Sequence, residues 1–149
     1  MKYLSNLLAT LFLGLVVFAC SKGEDQEQIQ ADLKEEVRAI HDEVMPKMSE
    51  INQMKQEILA EVAELEADSL NEESVEKSNL LKSLAADLED ANKSMMDWMR
   101  SYKSDLSEFT KEEVLPYLNS EKEKVTEVKN KMLNSIEKAK NRIKKDSAE

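Results

Sequence analysis

Beyond Gly23 the chain runs to residue 149 without another glycine. Glycine is the usual means of making tight turns with positive φ, so this chain is poorly equipped for hairpins and well equipped for long helices. The apolar pattern agrees. Val37, Val44, Ile51, Ile58 and Leu65 recur every seven residues, joined by Leu33, Ile40, Met48, Met54 and Val62. This coiled-coil-like stripe predicts a first helix over about 26–68. Leu81, Leu84, Leu88, Ala91, Met95, Trp98 and Tyr102 alternate by threes and fours, predicting a second helix over about 72–106. Val114, Leu118, Val125, Val128, Met132, Ile136, Ala139 and Ile143 predict a third over about 111–145.

The ends of these segments carry their own chemistry. Asn71, ahead of Glu72 and Glu73, is a good N-cap. Thr110 and Glu113 are spaced as a capping box, with Phe109 and Val114 placed as a hydrophobic staple. Lys140, Arg142, Lys144 and Lys145 crowd the last turns, at the negative end of the helix dipole. Short connections make neighbouring helices antiparallel, so the expected fold is all-α: an elongated up-down-up antiparallel three-helix bundle with coiled-coil-like packing. At ~1.5 Å per residue its helices would be roughly 50–65 Å long. Residues 24–68 carry fourteen acids and four bases, whereas 121–149 carry six acids and nine bases. An acidic first helix is therefore expected beside a basic third.

Several functions are excluded by scarcity. Glycine occurs only at 14 and 23, so no glycine loop can cradle a phosphate. One Cys provides no intrachain disulfide, redox pair or thiolate zinc cluster, and the absence of a His pair removes other zinc sites. The pairs Glu35-Glu36, Glu72-Glu73 and Glu112-Glu113 are adjacent, so the members of each point in different directions on a helix and form no facing acid–base dyad. The chain reads as non-enzymatic. With 31 acidic and 21 basic residues, net charge −10, it is suited neither to nucleic acid nor to adsorption on anionic lipid.

The N-terminus follows a different logic. After Lys2 comes a twelve-residue apolar run, Leu7 to Phe18, too short to cross a ~30 Å hydrocarbon layer comfortably but suited to a signal peptide. The run ends in Val17-Phe18-Ala19-Cys20, which resembles the lipobox of bacterial lipoproteins. The resemblance implies residues 1–19 as a cleaved lipoprotein signal peptide and residues 20–25 as the lipidated Cys20 with a short tether. The three-helix bundle then occupies 26–149. Acyl chains on Cys20, at ~0.8 kcal/mol per buried methylene, would hold the protein to a membrane without spanning it. Ser21-Lys-Gly-Glu-Asp resembles the surface-export signal of Bacteroidetes-type lipoproteins, and Ser21 in place of Asp does not suggest retention at the inner membrane. The expected location is the cell envelope, anchored to the outer membrane.

Two stretches stand apart from generic amphipathic helix: His41-Asp-Glu-Val-Met-Pro-Lys-Met48 and Met95-Met-Asp-Trp-Met-Arg100. They hold the only His, the only Trp and five of the methionines. His41, Met45 and Met48 share one side of the first helix by their spacing of four and three. Folding about residue 71 pairs positions summing to about 142, which sets Met95 and Met99 at the height of that side. Pro46 tends to kink the first helix in this layer, and Pro116 and Tyr117 fold back towards Tyr102. Thioethers select Cu(I), imidazole suits several metals, and a Trp face attracts cations. The layer is thus a candidate Cu(I) or Ag(I) site from His41, Met45, Met48, Met95 and Met99, with Trp98 and Tyr102 as pocket neighbours. Haem held by His41 and a Met is a rival cofactor, and Met packing around a proline kink is the simpler reading.

The lipobox together with H-D-E-V-M-P-K-M and M-M-D-W-M-R-x-Y resembles a family of small Bacteroidetes-type helical envelope lipoproteins, some labelled "viral A-type inclusion protein". The resemblance spans most of the mature chain and implies an envelope lipoprotein without implying an activity. The combined expectation is a membrane-anchored binding or structural module, acting on an unknown envelope protein or by self-association, with soft-metal binding as the alternative.

Overall fold

The computed structural model describes residues 21–67 and 71–146, so the expected signal peptide and Cys20 lie outside the described residues. Those described are all-helical, in four elements: α1 (Ser21–Val44), α2 (Lys47–Ala67), α3 (Glu72–Ser101) and α4 (Lys111–Asp146). None is long and apolar enough to cross a membrane.

Three boundaries differ from those expected. The first helix is two elements, because Met45 and Pro46 form a turn. Proline has no N–H to return to the Asp42 carbonyl, and its ring crowds that carbonyl. The chain bridges the gap with Met45 N–H to His41 O at 3.0 Å and Met48 N–H to Met45 O at 3.1 Å. Residues 21–25, expected as a tether, belong to α1. The third helix expected from the sequence keeps its start, and Pro116 sits inside α4 without breaking it.

The second helix stops at Ser101, five residues short of its expected end. Tyr102 is extended (φ −67°, ψ 123°) and caps the helix by donating its N–H to Trp98 O. Two groups take over the backbone there: Tyr117 Oη accepts from Lys103 N–H at 2.6 Å, and Asp105 accepts from Ser107 N–H at 2.9 Å. Side-chain acceptors, one from a neighbouring helix and one from the loop itself, thus compete successfully with another helical turn. The other caps follow their sequence signals. Asn71 accepts from Glu73 N–H at 3.0 Å, and Glu113 reaches back to the N–H and hydroxyl of Thr110, both at 2.9 Å.

The stripe residues form the core. Val37, Val44, Ile51, Ile58, Leu81, Leu88, Met95, Val125 and Met132 are buried in one cluster, while Ile143, at the end of the stripe, stays exposed. Cross-helix ion pairs show the chain directions. Lys55 of α2 meets Glu89 of α3, whereas Glu61 and Glu66, further along α2, meet Lys77 and Lys82, earlier on α3, so these are antiparallel. Lys122–Glu36, Lys129–Glu43 and Lys140–Glu50 rise together, so α4 runs parallel to α1 and α2, its bases facing their acids. The packing partners change at Pro46: α1 lies mainly on α4, whereas α2 lies mainly on α3.

Glu50 ties the start of α2 to α4. Lys140 and Lys47 donate to its carboxylate at 2.5 and 3.0 Å and hold its pKa below the ordinary value. A lowered folded pKa stabilises the fold fully above the ordinary value of about 4.5, and that contribution disappears as pH falls through the lowered value. Glu50→Gln is therefore expected to melt below the parent protein at pH 7, with the two converging as pH falls below the lowered pKa of Glu50. Parallel melts across pH check this, and a constant gap at all pH values would contradict it.

Candidate functional site

The change of partner at Pro46 leaves α1 and α3 unpacked backbone to backbone near the α3 terminus. A groove of about 580 Å³ lies between them, lined on one side by α1 residues from Ala31 to Asp42 and on the other by Trp98, Met99, Tyr102 and Ser104. This volume is within the range of ligand pockets, about 300–1,000 Å³. One wall is aromatic and apolar. The other presents Lys34, Glu35, Arg38, His41 and Asp42, spaced three and four apart along a single face of α1.

Each rim charge already has a partner. Lys34 Nζ donates to Ser104 O at 2.7 Å, strapping α1 to the loop after α3. Arg38 pairs with Glu35 at 2.5 Å, and this contact raises its pKa. The imidazole of His41 lies between two groups: Nδ1 is 2.8 Å from Asp42 Oδ1, and Nε2 is 3.3 Å from Met99 Sδ.

The aromatic wall continues into a stack through the end of the bundle. His41 lies 5.7 Å from Trp98, Trp98 stacks on Tyr102 at 5.1 Å, Tyr102 on Tyr117 at 6.4 Å, and Phe109 closes the series against Tyr117 at 4.6 Å. Burial pushes both tyrosine hydroxyls above their ordinary pKa, so they stay protonated. Trp98 is fixed from below. Its indole N–H donates to Glu121 at 2.9 Å, and Lys124 donates to the other oxygen of the same buried carboxylate at 2.7 Å.

Of the residues singled out from sequence, the structure joins His41, Met99, Trp98 and Tyr102 in one groove wall. Met95 is fully buried in the core, and Met45 and Met48 are half-buried against it; none of the three lines the groove. Cys20 is outside the described residues. The His41 nitrogen and Met99 sulfur are already in contact, which leaves no room for a porphyrin between them and removes haem with this pair as axial ligands. Among the described residues no group of three or more His, Cys, Asp and Glu could hold a metal ion.

Two participants were overlooked in the sequence. Glu121 falls between Leu118 and Val125, in an apolar slot of the α4 stripe, and an acid in such a slot is itself a signal of a buried polar partner. Asp42 follows His41 directly, and only the side-chain rotamers bring their polar atoms together. No known protein family, curated protein or solved structure matches the chain.

Glu121→Leu strands the Trp98 N–H in a buried position and is expected to cost about 1–3 kcal/mol, while Glu121→Gln keeps an acceptor and costs less. Chemical denaturation followed through Trp98, the only tryptophan, measures both. Equal losses would show that the indole hydrogen bond contributes nothing.

Proposed function

We propose that this protein is a non-enzymatic binding module of the bacterial cell envelope, held to the outer membrane by lipidated Cys20, with the α1–α3 groove as its ligand site. The observation that carries the reading is the groove itself. A bundle selected only for packing closes its helices on one another, whereas here an aromatic wall is held in place by Glu121 yet left facing a cleft. The occupant is a small amphipathic molecule with a flat apolar body. The half-buried Tyr102 and the small exposed part of Trp98 offer ring surface to that body, and the alternating charges of Lys34, Glu35, Arg38 and Asp42 line the mouth for its polar end. The lipobox resemblance supplies the membrane half of the proposal: Cys20 directly precedes α1, so the groove would lie roughly 16–33 Å along that helix from the anchor.

The two halves are tested separately. Radiolabelled palmitate is expected on the wild-type protein and absent from Cys20→Ser, and retention of label in the variant would defeat the lipoprotein assignment. For the groove, anilinonaphthalene sulfonate serves as an amphipathic aromatic probe. It is expected to bind saturably at one site and quench Trp98. Ala31→Trp, which fills the cleft from the α1 side, should abolish this without lowering the melting temperature. Unsaturable binding, or binding indifferent to Ala31→Trp, would rule out the groove.

A further inference from the structure

One contact in the groove wall is chemically incomplete. The carboxylate of Asp42 can only accept, so the 2.8 Å contact places a proton on Nδ1 of His41. In a neutral imidazole the other nitrogen, Nε2, then carries a lone pair. That lone pair faces the Sδ of Met99 at 3.3 Å. A thioether sulfur has no proton to offer, so in that form two acceptors meet with nothing between them.

We propose that His41 Nε2 and Met99 Sδ are a binding site for a soft monovalent cation, Cu(I) or Ag(I). Donor atoms this close can share one cation lying to the side of the line that joins them. The donor set selects the ion: thioether sulfur favours soft cations, imidazole accepts them, and no carboxylate cluster is present among the described residues to favour a hard divalent ion. The surroundings resemble those of working metal sites in two respects. Asp42 holds the non-ligating nitrogen and thereby fixes tautomer and ring orientation, as carboxylates do behind metal-bound histidines. The ring of Trp98, 5.7 Å from the imidazole, adds a π system that favours positive charge. The site is narrower than the five-residue layer expected from sequence, since Met95 serves the core. It does not require the groove to hold an amphipathic guest, and the failure of either reading leaves the other standing.

The test uses the full-length protein in detergent, reduced and oxygen-free, titrated with Ag(I) and with Cu(I) against a competing chromophoric chelator. One equivalent is expected to bind and to quench Trp98. Met99→Leu, a volume-conserving change, and His41→Ala should each weaken binding at least ~10-fold. Asp42→Ala should weaken it by about 10–100-fold, while Asp42→Asn, whose carbonyl still accepts from Nδ1, largely restores it. Met96→Leu, which removes an exposed thioether on the outer side of α3, should change nothing. A second proton on the ring would satisfy the pair without any cation, and in that case Met99→Leu leaves Ag(I) binding unaltered. That result, or failure to compete with the chelator, overturns the proposal.

Discussion

The missing N–H of Pro46 is the constraint from which the grooved end of the molecule follows. A continuous first helix would keep one packing partner along its length, because a straight seam of heptads presents the same face throughout. The turn at Met45–Pro46 divides the helix where its main partners differ, although Val37, Val44, Ile51 and Ile58 stay in one core across it. α2 continues the seam against α3, and α1 settles on α4. Most ion pairs follow the same division: α2 is tied to α3 by Lys55, Lys77 and Lys82, and α1 to α4 by Lys122 and Lys129, while Lys140–Glu50 joins α2 to α4. Exposed pairs of this kind contribute only about 0–1 kcal/mol each, so they record the arrangement more than they cause it. The cost of the break is a lost helical hydrogen bond. Its consequence is a cleft where a plain bundle would have a seam.

A cleft in a small helical protein tends to collapse unless its walls are held. Here the holding is done by polar atoms placed under apolar ones. Glu121 is almost fully buried, yet its two oxygens receive the Trp98 indole and the Lys124 ammonium. Removing either acceptor or donor would leave an unsatisfied group in a poorly hydrated place. The Trp98 ring is therefore fixed in position as well as buried. From it the stack runs through Tyr102 and Tyr117 to Phe109, and Tyr117 also fastens the chain where α3 ends. The same side chains terminate the helix and build the wall.

Most of the architecture was legible in the residue pattern because burial follows periodicity. The heptad positions Val37, Val44, Ile51 and Ile58 are in the core, and pairing about a sum of 142 brings His41 level with Met99 to within two residues. What escaped the pattern was decided by individual polar atoms. The early end of α3 depends on Tyr117 reaching across to Lys103, which no local signal in 98–106 announces. The division of the first helix was visible as a proline, but a proline alone does not say whether a helix breaks, and Pro116 sits inside an unbroken α4. Of the methionines at that height, Met99 meets His41, while Met95 lies in the core with Met45 and Met48 packed against it. Spacing places side chains on a face, whereas burial and rotamer choice decide which of them meet.

The composition of the groove wall separates a packing role from a binding role. If position 99 only filled space, a leucine would serve as well as methionine, since such exchanges preserve volume and usually cost less than about 1.5 kcal/mol. If position 41 only covered the Trp98 ring, its Nδ1 contact with Asp42 would add nothing to that cover. The arrangement instead fixes an imidazole by its far nitrogen and turns the near one towards a sulfur. Orientation has no value in hydrophobic packing, which is indifferent to direction. It has value where a lone pair must be aimed. A side chain held by one nitrogen so that the other points at a sulfur is the arrangement on which the proposed soft-cation site rests.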